Sequence, residues 1–366
     1  MSLRPLLLLV ITLLGLVRGY ELVDDMSGIG FFDADNWDWF SSWDNLTLGD
    51  VNWMDEAGAY TDHLALVNAW GNVILKVDDF SNVPFNEKRN SVRITTKKSY
   101  ELGSLWIIDA VHLPYGCSVS GPQSGRHLGP DWPRGGEIDI IEGINLMKDN
   151  QMALHTTPGC YHTTPPGQTG NSTIADCSNP AGCLVTERSP NSYREGFAAA
   201  GGGVWATQFD VAGIFIWFWS RPNVPASILH STSTSGIDLS DWGPPSASFV
   251  NTSCTIQDFF GPQKLVIDIT LCGQWAGIPS DYQETCGGAG PTGICYNDNV
   301  PGSGANYANA YFELKSVRTY TTAAPGASGA VAALGGHSGA AVSSRAGVCW
   351  TLLVVVWLGV ITVILR

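Results

Sequence analysis

The chain has 366 residues and carries 33 Asp and Glu against 19 Lys and Arg, a net charge of −14 at pH 7. A surface of that sign repels a phosphate backbone, which argues against nucleic-acid binding and decides little else. Between two unusual ends lie roughly 300 residues, ample for one large core, since all-β units of about 200–250 residues commonly fold as a single domain.

The first predicted element is a leader. MSLRPLLLLVITLLGLVRG sets Arg4 before an apolar run from Leu6 to Val17 and short residues around Gly19. This is the pattern of a secretory signal peptide over residues 1–19, too short to span a membrane. The body follows over residues 20–322. Its predicted strands are branched or aromatic runs separated by Gly/Pro/Asn/Ser-rich turns. In chain order they are SVRIT (91–95), LWIIDAVHL (105–113), EIDIIEGI from Glu137, QMALHTT (151–157), GIFIWFWS (213–220), KLVIDITLCG (264–273) and ANAYFELKSVRTY (308–320). No long stretch carries a helical period. The fold class is therefore all-β, an antiparallel two-sheet β-sandwich. In GIFIWFWS, Trp217 and Trp219 share a face by alternation, and one of them is expected to fill the core. The indoles of DNWDWFSSWDN and GPDWPRGGE, set beside Asp, Asn and Gly, are less suited to a pure core role and offer flat apolar faces to a sugar ring.

Eight of the nine cysteines fall in this body (Cys117, Cys160, Cys177, Cys183, Cys254, Cys272, Cys286, Cys295). An even count in an exported chain predicts disulfides. None of them has zinc spacing, so neither a metal nor another cofactor is expected. Glycosylation sequons occur at Asn45, Asn171 and Asn251. After Tyr320 the composition collapses into an Ala/Gly/Ser-rich linker, residues 323–346, and then an apolar tail, residues 347–366, whose one charge is Arg366. Ser338, Gly339 and Ala340, a short spacer and this tail match a glycosylphosphatidylinositol attachment signal. A single-pass helix is the alternative, and the lack of a basic stop-transfer cluster favours the lipid anchor. The expected protein is a monomer at the cell surface, tethered to plasma membrane or cell wall.

The chemistry concentrates in GGEIDIIEG, Gly135 to Gly143. Side chains of a strand alternate faces, so Glu137 and Asp139 share a face while Glu142, five residues from Glu137, points away. Two carboxylates cleave a glycosidic bond when one protonates the leaving oxygen and the other attacks, about 5–5.5 Å apart in retaining enzymes. A regular strand cannot serve that pair at a five-residue spacing. A β-bulge, which inserts one residue and is common beside active sites, can. The spacing predicts a bulge around Ile140 and Ile141. A calcium site would need Gly- and Asn/Asp-rich turns instead of an isoleucine-rich strand.

At these residues the chain resembles glycoside hydrolase family 16, in particular its laminarinase-like branch of fungal endo-1,3(4)-β-glucanases, whose motif is a bulged ExDxxE. The likeness extends through FFDADNWDWF, GDVNWMDEAGAY, GPDWPRGGEIDIIEGIN, NQMALHTTPGC, GIFIWFWSR, DWGPPSA and LVIDITLCGQWAG. It implies a β-jelly roll with a cleft on a concave sheet, and a retaining endo-β-glucanase whose partner is β-glucan. Glu137 is then the nucleophile, Glu142 the acid/base and Asp139 the residue that tunes them. Trp132, His155 and Trp275 are implied in substrate binding, His155 either with a proton role or as a hydrogen-bonded histidine at the cleft edge. A wall-remodelling transglycosylase and a catalytically impaired glucan-binding protein are the alternatives. Two departures stand out. Where the branch has an aromatic strand, residues 120–128 are polar and glycine-rich, either a genuine loop or the mark of a mispredicted intron boundary. Gln274 stands where an Asp is usual.

Overall fold

The computed structural model describes residues 19–121 and 132–322. The expected leader, linker, anchor tail and most of the polar segment at 120–128 lie outside them. The chain begins with β1 (Glu21–Ser27) and short strands β2 (Trp37–Trp39), β3 (Ser42–Trp43), β4 (Val51–Trp53), β5 (Ala65–Val67) and β6 (Val73–Lys76). Next come β7 (Arg89–Ser91), β8 (Arg93–Thr96), the long β9 (Ser104–His112) and β10 (Val119–Ser120). The motif strand β11 (Glu137–Glu142) is followed by β12 (Gln151–His155), β13 (Asn171–Ile174) and β14 (Cys183–Thr186). Then come β15 (Gly203–Asp210), β16 (Gly213–Ser220), β17 (Ala247–Val250), β18 (Val266–Asp268), β19 (Thr270–Leu271) and β20 (Tyr311–Thr321). Among the described residues the longest α-helix, Pro279–Cys286, has eight residues.

The strands form a β-sandwich of the jelly-roll class. One layer is an eight-stranded sheet in the order β17-β16-β15-β9-β20-β6-β5, with β1 also on β20. The other is built from shorter sheets: β11-β12-β14-β13, β10-β19, β18-β8-β2 and β3-β4-β7. Hydrogen bonds join these pieces, from Gly121 N to Gly143 O, Asn145 N to Val119 O and Asp50 N to Leu271 O. Among the described residues every pairing of these strands is antiparallel except β4 with β7. The core lies between the layers. Ile138, Ile140, Ile141, Met152 and Leu154 of the motif layer meet Trp205, Phe209, Ile214, Ile216 and Phe218 of the large sheet.

Several expectations are refined. KLVIDITLCG is two strands, β18 and β19, with Ile269 between them. β15, a central strand buried along its whole length, is not among the strands the sequence predicts. Its Thr207 and Gln208 carry polar groups into the interior, which masks the apolar pattern. Val119 and Ser120, at the edge of the glycine-rich segment, do form a strand, paired with β19 and bridged to Ile144. Trp217 and Trp219 share a face as expected, stacked at 6.5 Å with Trp242 edge-on to both. That face is the outer side of the large sheet, where Val224, Ile228, Ile237, Leu239 and Trp242 close a second apolar cluster. A sheet covered on both faces has no polar side to alternate with, hence the unbroken apolar run of β16. Trp37 is a core residue, buried with its indole N–H donating to Phe31 O at 2.7 Å, whereas Trp43 is exposed.

All eight body cysteines pair: Cys117–Cys286, Cys160–Cys254, Cys177–Cys183 and Cys272–Cys295. Asn45 and Asn171 are exposed; Asn251 is half-buried, and its Oδ1 accepts from Ile256 N. Arg89, fully buried, gathers four carbonyls from distant loops: Asp78, Ser81, Val300 and Gly302. Its guanidinium lies 5.0 Å from the Tyr307 ring centroid and 3.7 Å from Asp78 Oδ2. Arg89→Met removes these donors and leaves a buried carboxylate without its counter-charge. A loss of about 3–5 kcal/mol is expected, read as a lower urea midpoint at unchanged m-value.

Candidate active site

The turn Trp132–Gly136 delivers the chain into β11. Gly136 sits at φ 71°, and a Cβ there would meet the Phe260 ring at 2.2 Å, so only glycine fits. The turn places Trp132, 37% exposed, beside the first acid. Its indole Nε1–H donates to Glu137 Oε2 at 2.7 Å.

Register then decides which acids meet. β11 and β12 pair Glu137 with His155, Ile138 with Leu154 and Asp139 with Ala153, but the next pair is Glu142 with Gln151. Three steps on β11 are matched by two on β12, so one extra residue is accommodated at Ile140–Ile141, where the motif spacing predicts it. Both isoleucines turn into the core. Glu142 returns to the face of Glu137 and Asp139, in the position a residue four places along would hold in a regular strand. All three carboxyls are buried, at 2%, 1% and 5% exposure.

Burial costs a carboxylate its hydration and favours the protonated form. Glu142 is pushed up to about 8, first by burial, then by the charge of Asp139 and to a lesser degree Glu137. A hydrogen bond from Gln151 Nε2 to Glu142 Oε2, 3.0 Å, and the nearby His155 pull the other way. His155 lies opposite Glu137 and reaches Asp139, with Nε2 3.4 Å from Oδ2. The histidine is thus both near Glu142 and seated against Asp139. Its ring is 5.8 Å from that of Trp132. Trp275 is half-buried in a turn held by Gln274 N to Thr47 O and Gly277 N to Cys272 O. Among the described residues it makes no ring contact or side-chain hydrogen bond with the acids. Sequence reasoning missed Gln151, and also Asn150 beside it, whose side chain binds the backbone of the bulge.

Glu137, Asp139 and His155 each bring one ligand atom within 4.8 Å of the others, the one such group among the described residues. The indole on Glu137 and the imidazole on Asp139 already engage two of these groups. A cavity of about 450 Å³ opens elsewhere, between residues 189–191 and the end of β16 at Trp219 and Ser220. No ionisable side chain lines it, so it is not where acid/base chemistry occurs.

Three buried carboxyls thus share one face of a bulged strand, and burial pushes one of them, Glu142, up to about 8. The model of the XgeA-like catalytic domain of family GH16 matches residues 37–320. The chain belongs to glycoside hydrolase family 16. It is 37% identical over 311 residues to a probable glycosidase of Schizosaccharomyces pombe, covering 83% of this chain and 70% of that protein. It is 35% identical over 318 residues to a probable endo-1,3(4)-β-glucanase of Neosartorya fischeri, covering 85% of this chain and 47% of that one. The chain thus spans about half the length of that glucanase. Among solved structures, laminarinase 16A from Phanerochaete chrysosporium, with two β-glucans in donor and acceptor sites, matches at TM-score 0.75 and 34% identity, covering 82% of this chain and 99% of that one. An elongating GH family 16 β-1,3-glucosyltransferase matches at TM-score 0.74 and 36% identity, covering 82% and 100%.

The buried Glu142 of this GH16 site has a stability signature. From pH 4.5 up to about 8 its carboxyl ionises in the unfolded chain while the folded state keeps the proton. This group's contribution to stability therefore falls with rising pH through that window and is constant above it. Glu142→Gln removes the titration. The variant is expected to melt at a higher temperature than the parent at pH 8 and to approach it at pH 4, measured by calorimetry.

Proposed function

We propose that this chain is a retaining endo-β-glucanase acting on β-1,3- or mixed β-1,3/1,4-glucans at the cell surface. The observation that carries the reading is the bulge that returns Glu142 to the face of Glu137, paired with the burial that keeps Glu142 protonated. The names of the relatives and the glucans bound by the P. chrysosporium laminarinase support the substrate class.

In the first step the Glu142 carboxyl gives its proton to the glycosidic oxygen as the bond from that oxygen to the anomeric carbon breaks. Glu137 forms a new ester bond to the same carbon. Trp132 Nε1–H holds the Glu137 carboxylate in orientation for this attack. Glu142, now ionised and no longer required to donate, takes a proton from the incoming water as its oxygen attacks the anomeric carbon and frees Glu137. Asp139 acts through charge, since ionised neighbours raise the proton affinity of Glu142 when it must hold its proton. If the incoming hydroxyl belongs to another glucan, the same second step makes a longer chain. Likeness to the elongating glucosyltransferase supports this second reading.

Glu137→Gln is expected to lower turnover of laminarin and lichenan by at least about 10³-fold while retaining binding to the polysaccharide; appreciable residual activity sinks the nucleophile assignment. Product sizing separates the two readings, with shorter chains only for hydrolysis and additional longer chains for transfer. Activity of the parent should decline as pH rises through about 8, the value at which Glu142 loses its proton, and a flat profile to pH 10 would exclude Glu142 as the acid.

Surface attachment rests on the small-residue site at 338–340 and the apolar tail. None of the helices among the described residues is long and apolar enough to cross a membrane. Phosphatidylinositol-specific phospholipase is expected to release the protein from membranes; retention after treatment favours the single-pass alternative.

A further inference from the structure

An extra residue in one strand removes partners from the ladder. Between the pairs Asp139–Ala153 and Glu142–Gln151, backbone groups of the bulge face β12 out of register. This stretch is buried, and a buried peptide N–H or C=O left unbonded costs about 1–3 kcal/mol. One side chain meets both needs. Glu142 N–H donates to Asn150 Oδ1 at 2.8 Å, and Asn150 Nδ2 donates to Ile140 O at 3.0 Å. The amide of Asn150 thus replaces a peptide unit of the missing ladder, offering an acceptor and a donor in one plane.

Asn150 is itself fixed on every side. It is fully buried, and its Nδ2 also bonds Gln151 O at 3.0 Å. Its own N–H donates to Ser192 Oγ at 3.0 Å, and its C=O accepts from Glu187 N at 2.8 Å. Tyr193, next to Ser192, braces the far end of the bulge. Its hydroxyl lies 2.7 Å from Pro114 O and 3.2 Å from Gly143 O, and a Cβ on Gly143 would meet its ring at 2.7 Å. Gln151, adjacent to Asn150, bonds the Glu142 carboxyl directly.

We infer that Asn150 is the positioning residue of the acid/base: it locks the backbone of Glu142 in the bulged register so that the carboxyl reaches the glycosidic oxygen. This rests on the reading of Glu142 as the acid. It touches neither substrate nor reacting atoms, so its effect must appear only where Glu142 is needed. Proton donation matters for a sugar leaving group and is dispensable for a dinitrophenolate, which departs as the anion.

The test compares laminarin with a 2,4-dinitrophenyl β-laminaribioside, the latter followed as the pre-steady-state burst of dinitrophenolate. Asn150→Ala, Asn150→Asp and Glu142→Ala are run in parallel. Asn150→Ala is expected to lower kcat on laminarin about 10²-fold, the scale of a misplaced reacting group, and to leave the burst rate within about threefold of the parent. Equal losses on both substrates mean a merely structural role and overturn the inference, as does an unchanged kcat on laminarin. If Glu142→Ala itself does not discriminate between the substrates, the acid assignment fails and the inference with it. Asn150→Asp, nearly isosteric and still able to accept from Glu142 N–H, covers failure of the alanine variant to fold and should show the same selectivity in milder form. Hydrogen exchange of the Glu142 amide reads the lock without activity: at least about tenfold faster exchange in either variant is expected, and unchanged exchange in both overturns the positioning role.

Discussion

The period-two geometry of a β-strand is the constraint on which this site depends. Glu137 and Glu142 are five residues apart, an odd number, and a regular strand would bury one of them among isoleucines. The sandwich resolves the parity by turning two consecutive isoleucines, Ile140 and Ile141, into the core and shifting register once against β12. The apolar contacts of those two residues stabilise the bulge from one side. The amide of Asn150 satisfies the backbone from the other. Neither is sufficient alone, because buried apolar contact leaves the peptide groups unbonded, and hydrogen bonds without burial would compete with water.

Placing three carboxyls on one buried face is electrostatically expensive, and the expense is what produces function. Burial and the charge of Asp139 hold a proton on Glu142 near neutrality. The hydrogen bond from Gln151 to Glu142 opposes this, and it and the bond from Trp132 to Glu137 are directional and orient the groups. His155, seated against Asp139, moderates the repulsion among the acids. The site is therefore a balance in which each stabilising contact also sets a proton affinity or an orientation.

Much of the scaffold was legible because its causes are local. Seven predicted strands correspond to strands of the sandwich, and their composition of branched and aromatic residues is what a buried pleated surface selects. β15 was hidden because it carries Thr207 and Gln208 into the interior on its two faces, and the partner of Gln208, Tyr20, comes from the far end of the chain. Trp37 looked solvent-facing beside Asp and Asn, yet its indole N–H finds a carbonyl six residues away and the ring packs inside. In both cases a distant or folded-back partner satisfies a polar group that local pattern reads as exposed.

By itself the sequence determined the three acids, the need for a bulge between them and the even set of cysteines. These follow from residue type and spacing along one chain. The tertiary structure decided which cysteines pair, which strand lies beside β11, that His155 meets Asp139, and that Asn150 completes the bulge. Those facts depend on register between strands and on loops brought together by the core. A register is set by many weak contacts summed over the whole sandwich, and no short stretch of chain contains that sum.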